Sequence, residues 1–193
     1  MNGDMPERIL LVGFMASGKS SAGKELASRL GWDFQDFDTV IAARAGKSVS
    51  RIFAEDGEAE FRRLESGVAE ELLARCDTVV ASGGGWPAQP GAWEMVREDT
   101  MSIWLKVSPE VAVRRASDQG PTRPLLEGGD VTERAAALLL GREASYRRAR
   151  YMLDSEQYGP LELAGEILKL MKGEQDPTAQ ESMDRMTIEP NDG

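Results

Sequence analysis

One stretch near the start of the chain constrains the fold more than any other, Gly13-Phe-Met-Ala-Ser-Gly-Lys-Ser20. It has the pattern G-x-x-x-x-G-K-S and follows the apolar run 9–12, so a buried strand is expected to end at Gly13 and a helix to begin near Gly18. Backbone N–H groups then point into a concave loop at the positive end of the helix, which is a site for phosphate. A glycine-rich turn with a chance lysine is the alternative, but the surrounding strand and helix favour binding of a nucleoside triphosphate.

The loop residues have distinct expected roles. Lys19 can reach the outer phosphates of the nucleotide, and the Ser20 hydroxyl can ligate the Mg²⁺ that accompanies them. The remaining expected nucleotide contacts within the loop come from Gly13, Ala16, Ser17, Gly18 and Ser21.

Strand-like and helix-like segments alternate along the chain, which is typical of a parallel sheet with helices on both faces. Strands are expected at 9–12, 32–36, 78–81 and 101–107, with an edge strand at 151–153. Helices are expected at 19–30, 39–45, 49–55, 58–75, from 109 onward, at 131–150 and at 161–171. The pattern predicts a three-layer α/β/α fold with a central parallel sheet of about five strands. Ligands of such sheets bind beyond the carboxyl ends of the strands, where segments 13–20, 36–38 and 83–85 are expected to meet.

Composition and charge exclude several classes of function. The chain has 193 residues and a net charge of −10, which suits one acidic domain and argues against a nucleic-acid or anionic-membrane partner. No apolar run approaches membrane-spanning length, and the first residues lack the apolar core of a signal peptide. Cys76 is the only cysteine, so an internal disulfide is impossible and a cytoplasmic setting is expected. Because the chain has no histidine, any general base must be a carboxylate, a lysine or a tyrosine.

The domain is expected to span residues 8–172. Residues 1–7 are a short N-terminal extension, and residues 173–193 are polar and acidic without periodicity, which predicts a disordered tail. Residues 117–130 are rich in glycine, proline and charge and are expected to form a mobile loop.

Asp36 and Asp38 come at the end of the second predicted strand. Alternation along a strand sends their side chains to opposite sides, so one can face metal and phosphates while the other faces an acceptor hydroxyl. Solvated acids at a strand end are the commoner explanation of an isolated D-x-D. The phosphate loop earlier in the chain favours the functional interpretation.

Glycines and arginines supply the remaining signals. Gly83-Gly84-Gly85 follows a strand, which indicates either a tight turn or a place where the backbone approaches a ligand closely. Arg123 lies in a loop bordered by glycine and proline, as expected of a clamp on transferring phosphate, whereas Arg62 on a helix suits recognition of a carboxylate. A solvated surface charge remains the alternative for each arginine. Glu65, three residues after Arg62, either orients its guanidinium or forms an ordinary surface pair.

Taken in order and at these intervals, the motifs resemble those of the shikimate kinase family over residues 8–171. The matching segments are the loop 13–20, Asp36-Phe-Asp38, Phe61-Arg-Arg-Leu-Glu65, Gly83-Gly84-Gly85, Arg123-Pro-Leu-Leu126 and the pair Arg142 and Tyr146. Each segment alone is modest evidence, but six in this order are highly specific.

The resemblance implies the P-loop kinase fold, with a mobile lid at about 117–130 and a shikimate-binding helical region at about 38–65. It implies ATP-dependent phosphorylation of the 3-hydroxyl of shikimate, giving shikimate 3-phosphate and ADP, a step towards chorismate and the aromatic amino acids. The implied partners are ATP and shikimate as small-molecule substrates and Mg²⁺ as cofactor, with a monomer as the expected state.

The resemblance also assigns roles on the acceptor side. It implies that Asp38 contacts the substrate hydroxyls and is the candidate base, and that Asp36 supports Mg²⁺ through water beside the direct ligand Ser20. Arg62 and Arg142 are expected to hold the shikimate carboxylate. The backbone of Gly83, Gly84 and Gly85 is expected to line the same pocket.

On the nucleotide side, the resemblance implies that Arg123 closes over the phosphates from the lid and, with Lys19 and Asp38, acts in catalysis. Arg115 is expected to pack on one face of the adenine ring and Pro160 on the other.

Three positions depart from the pattern of the resembling family. Ala16 stands where many members have glycine, and its methyl group is expected to be tolerated only with negative φ. Trp86 is bulkier than the residue that usually follows the three glycines and is expected to narrow or reshape the acceptor pocket. The lid is one residue longer than in some members.

Two other functions compete with this interpretation. A related P-loop kinase of the gluconate type would share the fold, but it is not expected to carry both Asp36-x-Asp38 and Phe61-Arg-Arg-Leu-Glu65. A non-catalytic nucleotide-binding module would be expected to have lost Lys19, Asp38 or Arg123, and all three are present. Direct in-line transfer is expected, because no histidine or other evident nucleophile is available to form a phosphoenzyme.

Overall fold

A computed structural model of the chain describes residues 5–118 and 130–173, in which five parallel strands form one sheet in the order β2-β3-β1-β4-β5. The strands are β1 (Arg8–Val12), β2 (Asp33–Asp36), β3 (Thr78–Ala81), β4 (Thr100–Lys106) and β5 (Tyr151–Asp154). Strand β1 lies at the centre with all five residues buried, as its apolar run predicts for a strand covered on both faces.

Helices cover both faces of the sheet. They are α1 (Lys19–Leu30), α2 (Phe37–Ala45), α3 (Val49–Glu55), α4 (Gly57–Leu73), α5 (Pro109–Asp118), α6 (Val131–Tyr146) and α7 (Pro160–Met171). On one face, Leu10 and Val12 of β1 pack in a core with residues of α2 to α6. On the other face, Ile9 and Leu11 pack in a second core with α1 and α7. Alternate residues of one strand thus serve two cores, and the predicted three-layer α/β/α fold is confirmed.

The strand register brings the ends of three neighbouring strands level. Leu11 of β1 and Asp36 of β2 both pair with Ala81 of β3. The segments that follow β1, β2 and β3 therefore begin at the same edge of the sheet. This confirms the expected meeting of the phosphate loop, the acidic pair and the glycine turn.

Several element boundaries differ from those predicted. Helix α6 ends at Tyr146 rather than at residue 150, because the chain must turn into β5, and the N–H of Arg150 already donates to Ser102 Oγ at 3.0 Å. Helix α4 ends at Leu73 rather than 75. Two short 3₁₀ turns, Trp86–Ala88 and Trp93–Met95, were not predicted, since neither has a hydrophobic period long enough to read.

Most of the predicted lid, 117–130, and nearly all of the predicted tail, 173–193, lie outside the described residues. Within residues 5–118 and 130–173, no helix is both long and apolar enough to span a membrane.

Candidate active site

The phosphate loop joins the end of β1 to the start of α1, as predicted. Gly18 is the N-cap of α1 and has no side chain that could accept hydrogen bonds from the first helical turn. The amide groups at the open end of the helix therefore remain uncapped by a side chain. Lys19 Nζ donates to the carbonyl groups of Gly13 and Phe14 at 2.9 and 2.8 Å. It also lies 3.4 Å from the hydroxyl of the buried Ser17. The lysine therefore folds back across the loop, where its charge faces the place expected for phosphate.

A cavity of about 200 Å³ lies beside the loop and collects most of the predicted phosphate, metal and catalytic residues. It is lined by Ala16, Gly18, Lys19, Ser20, Ser21, Asp36, Asp38, Ser82 and Gly84. The phosphate loop, the acidic pair and the glycine turn thus share one concave surface. We call it the phosphate cavity.

Ala16 contradicts the expectation that its methyl group requires a negative φ. Its φ is 54°, in the left-handed region that disfavours a Cβ atom. The loop needs that conformation whichever residue occupies the position, so alanine adopts it at a cost in conformational energy.

Asp36 and Asp38 both line the phosphate cavity, but the expectation that they alternate along a strand is wrong. Asp36 ends β2 and caps α2, with its Oδ1 accepting from the N–H groups of Asp38 and Thr39 at 3.0 and 3.3 Å. Asp38 belongs to the first turn of α2. The strand ends at Asp36, as predicted, but the capping preference of aspartate starts a helix at once, so Asp38 is helical rather than extended.

The other carboxylate oxygen of Asp36 contacts Ser20, the second residue predicted to hold Mg²⁺. Ser20 Oγ donates to Asp36 Oδ2 at 2.5 Å. Hydroxyl and carboxylate oxygens suit Mg²⁺, which takes one or two protein ligands and completes its shell with water and substrate phosphate. These two residues therefore fit the ion.

Ser82 is a residue of the cavity that sequence reasoning did not single out. It follows β3, is 4% exposed, and its hydroxyl has no hydrogen-bond partner among the described residues. A buried hydroxyl that faces a polar cavity is suited to bind water or ligand oxygen. Its position directly after a strand at the ligand-binding edge was the available signal.

The glycine turn forms the wall between the phosphate cavity and a second group of charged residues. A Cβ atom at Gly83 would collide with Glu65 Oε1 and would lie 3.7 Å from Asp38 Oδ1. A Cβ atom at Gly85 would lie 3.1 and 3.2 Å from the two terminal nitrogens of Arg62 and 3.5 Å from Arg142 Nη2. Close approach of charged side chains to the backbone explains the glycines, and the structure brings Arg62 and Arg142 together as predicted.

Arg62 is held by carboxylates on two edges of its guanidinium. Glu65 Oε2 accepts from Nη1 at 2.7 Å, and Glu58 Oε1 accepts from Nε and Nη2 at 3.3 and 3.0 Å. Glu65 is only 1% exposed, so of the two alternatives left open for it, the ordinary surface pair is wrong. The arginine is consequently fixed in direction before any substrate arrives.

The remaining oxygen of Glu65 has an unusual environment. Glu65 Oε1 is buried without a hydrogen-bond partner among the described residues and faces the glycine turn near Asp38. Burial raises the pKa of the Glu65 carboxyl, the Arg62 guanidinium opposes this, and the Asp38 carboxylate adds to it. The acceptor side of the wall therefore combines two arginines with two interacting carboxyl groups.

Trp86 does not project into the phosphate cavity. Its ring is 2% exposed and packs edge-on against Phe37, with the ring centroids 5.4 Å apart and the planes at 79°. The Trp86 ring thus packs against and supports Phe37, the residue that precedes Asp38. On its other side it lines a separate cavity next to Arg62.

Arg115 and Pro160 are the predicted adenine contacts, and both lie on elements that flank the β5–α7 connection. Pro160 is the first residue of α7, and Arg115 belongs to α5. Arg115 Nη2 donates to the carbonyl of Ser155 at 2.8 Å. Ser155 is fully buried, and its hydroxyl donates to the carbonyl of Lys106 at 2.8 Å. Arg115 is thus tied to the segment that leads to Pro160.

Arg123, the predicted lid residue, lies outside the described residues, so its place relative to the phosphate cavity is not part of the described site.

Comparison with known proteins agrees with this geometry. The family model described as shikimate kinase matches residues 15–172 of the chain. Shikimate kinase of Moorella thermoacetica is 38% identical over 168 residues, which cover 87% of this chain and 96% of that protein.

Solved structures give the same result. Shikimate kinase from Acinetobacter baumannii in complex with shikimate superposes with a TM-score of 0.82 at 33% identity, covering 88% of this chain and 94% of that chain. A gluconokinase from Sinorhizobium meliloti has a TM-score of 0.52 at 17% identity, covering 88% and 95% of the two chains, a likeness that shows the fold alone. With matches over most of its length, the chain belongs to the shikimate kinase family of phosphotransferases.

Proposed function

We propose that the chain transfers the γ-phosphoryl group of ATP to the 3-hydroxyl of shikimate, giving shikimate 3-phosphate and ADP on the route to chorismate and the aromatic amino acids. The observation that carries the proposal is the convergence of Arg62 and Arg142 on Gly85, one peptide away from the phosphate cavity. Two guanidinium groups this close to the phosphate cavity suit a small acceptor with a single carboxylate.

On the donor side, Lys19 and the amides at the start of α1 hold the phosphates of ATP. Ser20 would be the direct protein ligand of Mg²⁺, and Asp36 would hold the ion through water. When bound, Mg²⁺ neutralises charge on the phosphate oxygens and favours attack at the γ-phosphorus. The contact of Ser20 Oγ with Asp36 Oδ2 at 2.5 Å supports this assignment, since it places both oxygens side by side in the cavity.

On the acceptor side, the carboxylate of shikimate binds between Arg62 and Arg142, against the backbone of Gly83, Gly84 and Gly85. This anchor orients the ring so that its hydroxyl groups reach Asp38. Support comes from Glu58 and Glu65, which fix Arg62 in advance and so reduce the conformational entropy lost on binding.

Asp38 acts as the base that receives the proton of the 3-hydroxyl as the oxygen attacks the γ-phosphorus in line with the leaving ADP. Its place at the boundary of the phosphate cavity and the glycine turn supports this role. Lys19 and, from the lid, Arg123 stabilise the charge that develops on the transferring group.

The adenine ring lies between Arg115 and Pro160. The hydrogen bond from Arg115 to the Ser155 carbonyl supports the assignment, because it fixes the guanidinium beside the segment that ends at Pro160. The same proposal assigns four segments of the chain. They are the lid at 117–130, the shikimate-binding region at 38–65, the N-terminal extension at 1–7 and the tail at 173–193.

We also propose that the enzyme is monomeric and cytoplasmic. The free thiol of Cys76 is exposed, which suits a reducing compartment. Light scattering of the purified chain checks the monomer.

The acceptor is tested by coupling ADP release to a spectrophotometric assay with shikimate, gluconate and other polyols as acceptors. Shikimate is expected to accelerate ADP release, and acceleration by gluconate alone would overturn the proposal in favour of the gluconate-type alternative.

The role of Asp38 is tested in the same assay. Asp38→Asn is expected to lower kcat by about 10²–10⁴-fold, the usual contribution of a positioned base. ATP affinity, measured by calorimetry, should stay close to that of the wild type. Asp33→Asn, a change of an exposed carboxylate at the start of β2, is the matched control and should leave kcat unchanged. Near-normal turnover of Asp38→Asn would remove this residue from the chemical step.

A further inference from the structure

Tyr146 is the last residue of α6 and is fully buried. Its ring stacks on Trp104 of β4, with the ring centroids 6.0 Å apart and the planes at 29°. Its hydroxyl donates a hydrogen bond to the carbonyl oxygen of Gly84. A buried phenol needs such a partner, and this one lies in the wall between the phosphate cavity and the acceptor residues.

The hydrogen bond to Gly84 fixes the orientation of a whole peptide group. The described peptide bonds are all trans, so the carbonyl of Gly84 and the N–H of Gly85 point in opposite directions. Holding the carbonyl towards Tyr146 therefore fixes the direction of the Gly85 N–H. Gly85 is also the residue that Arg62 and Arg142 approach.

Arg142 lies beside the same hydroxyl. It precedes Tyr146 by four residues, so both side chains lie on one face of α6. Burial raises the pKa of Tyr146 to about 12, although the nearby charge of Arg142 acts in the opposite direction. The phenol thus donates to Gly84 while the Arg142 guanidinium approaches the next residue, Gly85.

We propose that Tyr146 is a positioning residue for the acceptor carboxylate, because its hydroxyl fixes the Gly84–Gly85 peptide at the point that the Arg142 guanidinium approaches. This inference rests on the proposed function and deepens it. Tyr146 does not touch the substrate, but it sets the direction of one amide donor beside the Arg142 guanidinium. Recognition of an anionic acceptor thereby depends on a residue outside the binding pocket.

The substitution Tyr146→Phe isolates the hydroxyl, since the phenylalanine ring fills the same volume and keeps the stacking on Trp104. Charge-assisted hydrogen bonds are sensitive to alignment, and loss of one typically changes affinity by about tenfold. We therefore expect KM for shikimate to rise roughly tenfold. KM for ATP should change by less than about twofold, because the phenol hydroxyl has no hydrogen bond to a residue of the phosphate loop in the described structure.

A neutral acceptor separates positioning from a merely structural role. Shikimate methyl ester keeps the three hydroxyl groups but lacks the negative charge. The ratio of kcat/KM for shikimate to that for the ester should fall roughly tenfold in Tyr146→Phe. If the ester turns over too slowly, its inhibition constant against shikimate provides the same comparison.

Tyr151→Phe is the matched control, since it removes a phenol hydroxyl from β5, a strand that carries none of the proposed acceptor contacts. It should leave both KM values and the acceptor ratio unchanged. KM does not depend on the fraction of folded enzyme, so the comparison holds even if Tyr146→Phe lowers the yield of active protein.

The outcomes distinguish this inference from the proposed function. A wild-type enzyme that does not phosphorylate shikimate overturns the function itself. A wild-type enzyme that does so, together with a Tyr146→Phe variant whose acceptor ratio is unchanged or whose two KM values rise equally, overturns the positioning role alone.

Discussion

Single residues in this protein hold conformations that the surrounding site requires. Ala16 has a φ of 54° within the phosphate loop, a region of backbone space that costs an L-residue with a Cβ atom about 1–2 kcal/mol. Glycine would adopt the same conformation without that cost. The sequence showed that alanine stands where many members of the family have glycine. It did not predict the sign of φ at this position, because a single residue type does not determine it.

Ala16→Gly is therefore expected to stabilise the protein by about 0.5–1 kcal/mol, the relief of strain exceeding the larger chain entropy of glycine in the unfolded state. For a chain of this size the melting temperature should rise by about 1–4 °C, measured by calorimetry. Ala43→Gly, the same change at an exposed position inside α2, should lower it, since glycine weakens helices. A decrease with Ala16→Gly as large as the decrease with Ala43→Gly would contradict the strain argument.

At the scale of elements, Asp36, the residue that caps helix α2, has two roles. One oxygen of Asp36 caps the helix through the N–H groups of Asp38 and Thr39, and the other accepts from Ser20. The cap also places Asp38 in the first turn of the helix. The start of α2 and the expected metal site thus depend on the same carboxylate.

Two substitutions of Asp36 separate these tasks. Asp36→Asn keeps a good capping residue but removes the charge, so stability should stay close to that of the wild type while the Mg²⁺ concentration for half-maximal rate rises. Asp36→Ala should show the same Mg²⁺ effect and also lose about 1 kcal/mol of stability. Thermal unfolding and a Mg²⁺ titration of the initial rate measure both quantities. Equal stability of the two variants would show that the cap contributes little.

The sequence predicted which elements exist better than it predicted how they meet. The apolar run of β1, the loop pattern after it and the helical period of α4 are local signals, and each was confirmed. The burial of Glu65 and the bond between Tyr146 and Gly84 depend on segments far apart in the chain. Such contacts leave no local pattern, which is why Tyr146 received no role. The acidic pair was misassigned for a local reason, because Asp36 caps a helix where an extended continuation to Asp38 was expected.

At the scale of the whole molecule, the proposed acceptor site affects folding stability. Burial raises the pKa of Glu65 above its usual value of 4.5. The folded state therefore binds the proton of this carboxyl group more tightly than the unfolded state does. Stability from this group is complete at low pH and is lost as the pH rises through the raised pKa. The carboxylate that orients Arg62 therefore weakens the fold at neutral pH.

Glu65→Gln is neutral at every pH and should remove this dependence. The free energy of unfolding of the variant, relative to the wild type, is expected to increase between about pH 4 and pH 7. Urea unfolding at several pH values measures the difference. At the same time KM for shikimate should rise, because the amide that replaces the carboxylate holds Arg62 by a neutral and therefore weaker hydrogen bond. A stability difference that does not change with pH would show that Glu65 titrates alike in both states.

The glycine turn that separates the two groups of charged residues is a partition only one backbone thick. On one side it faces the phosphate cavity, where Gly84 lies next to the loop residues Gly13 and Met15, and on the other it faces Arg62 and Arg142. Two small molecules bound on either side would be separated by a peptide plane and would meet at its border, where Asp38 stands. A partition this thin would keep the phosphoryl donor and acceptor close together, so a single methyl group added to the turn would alter the distance between them.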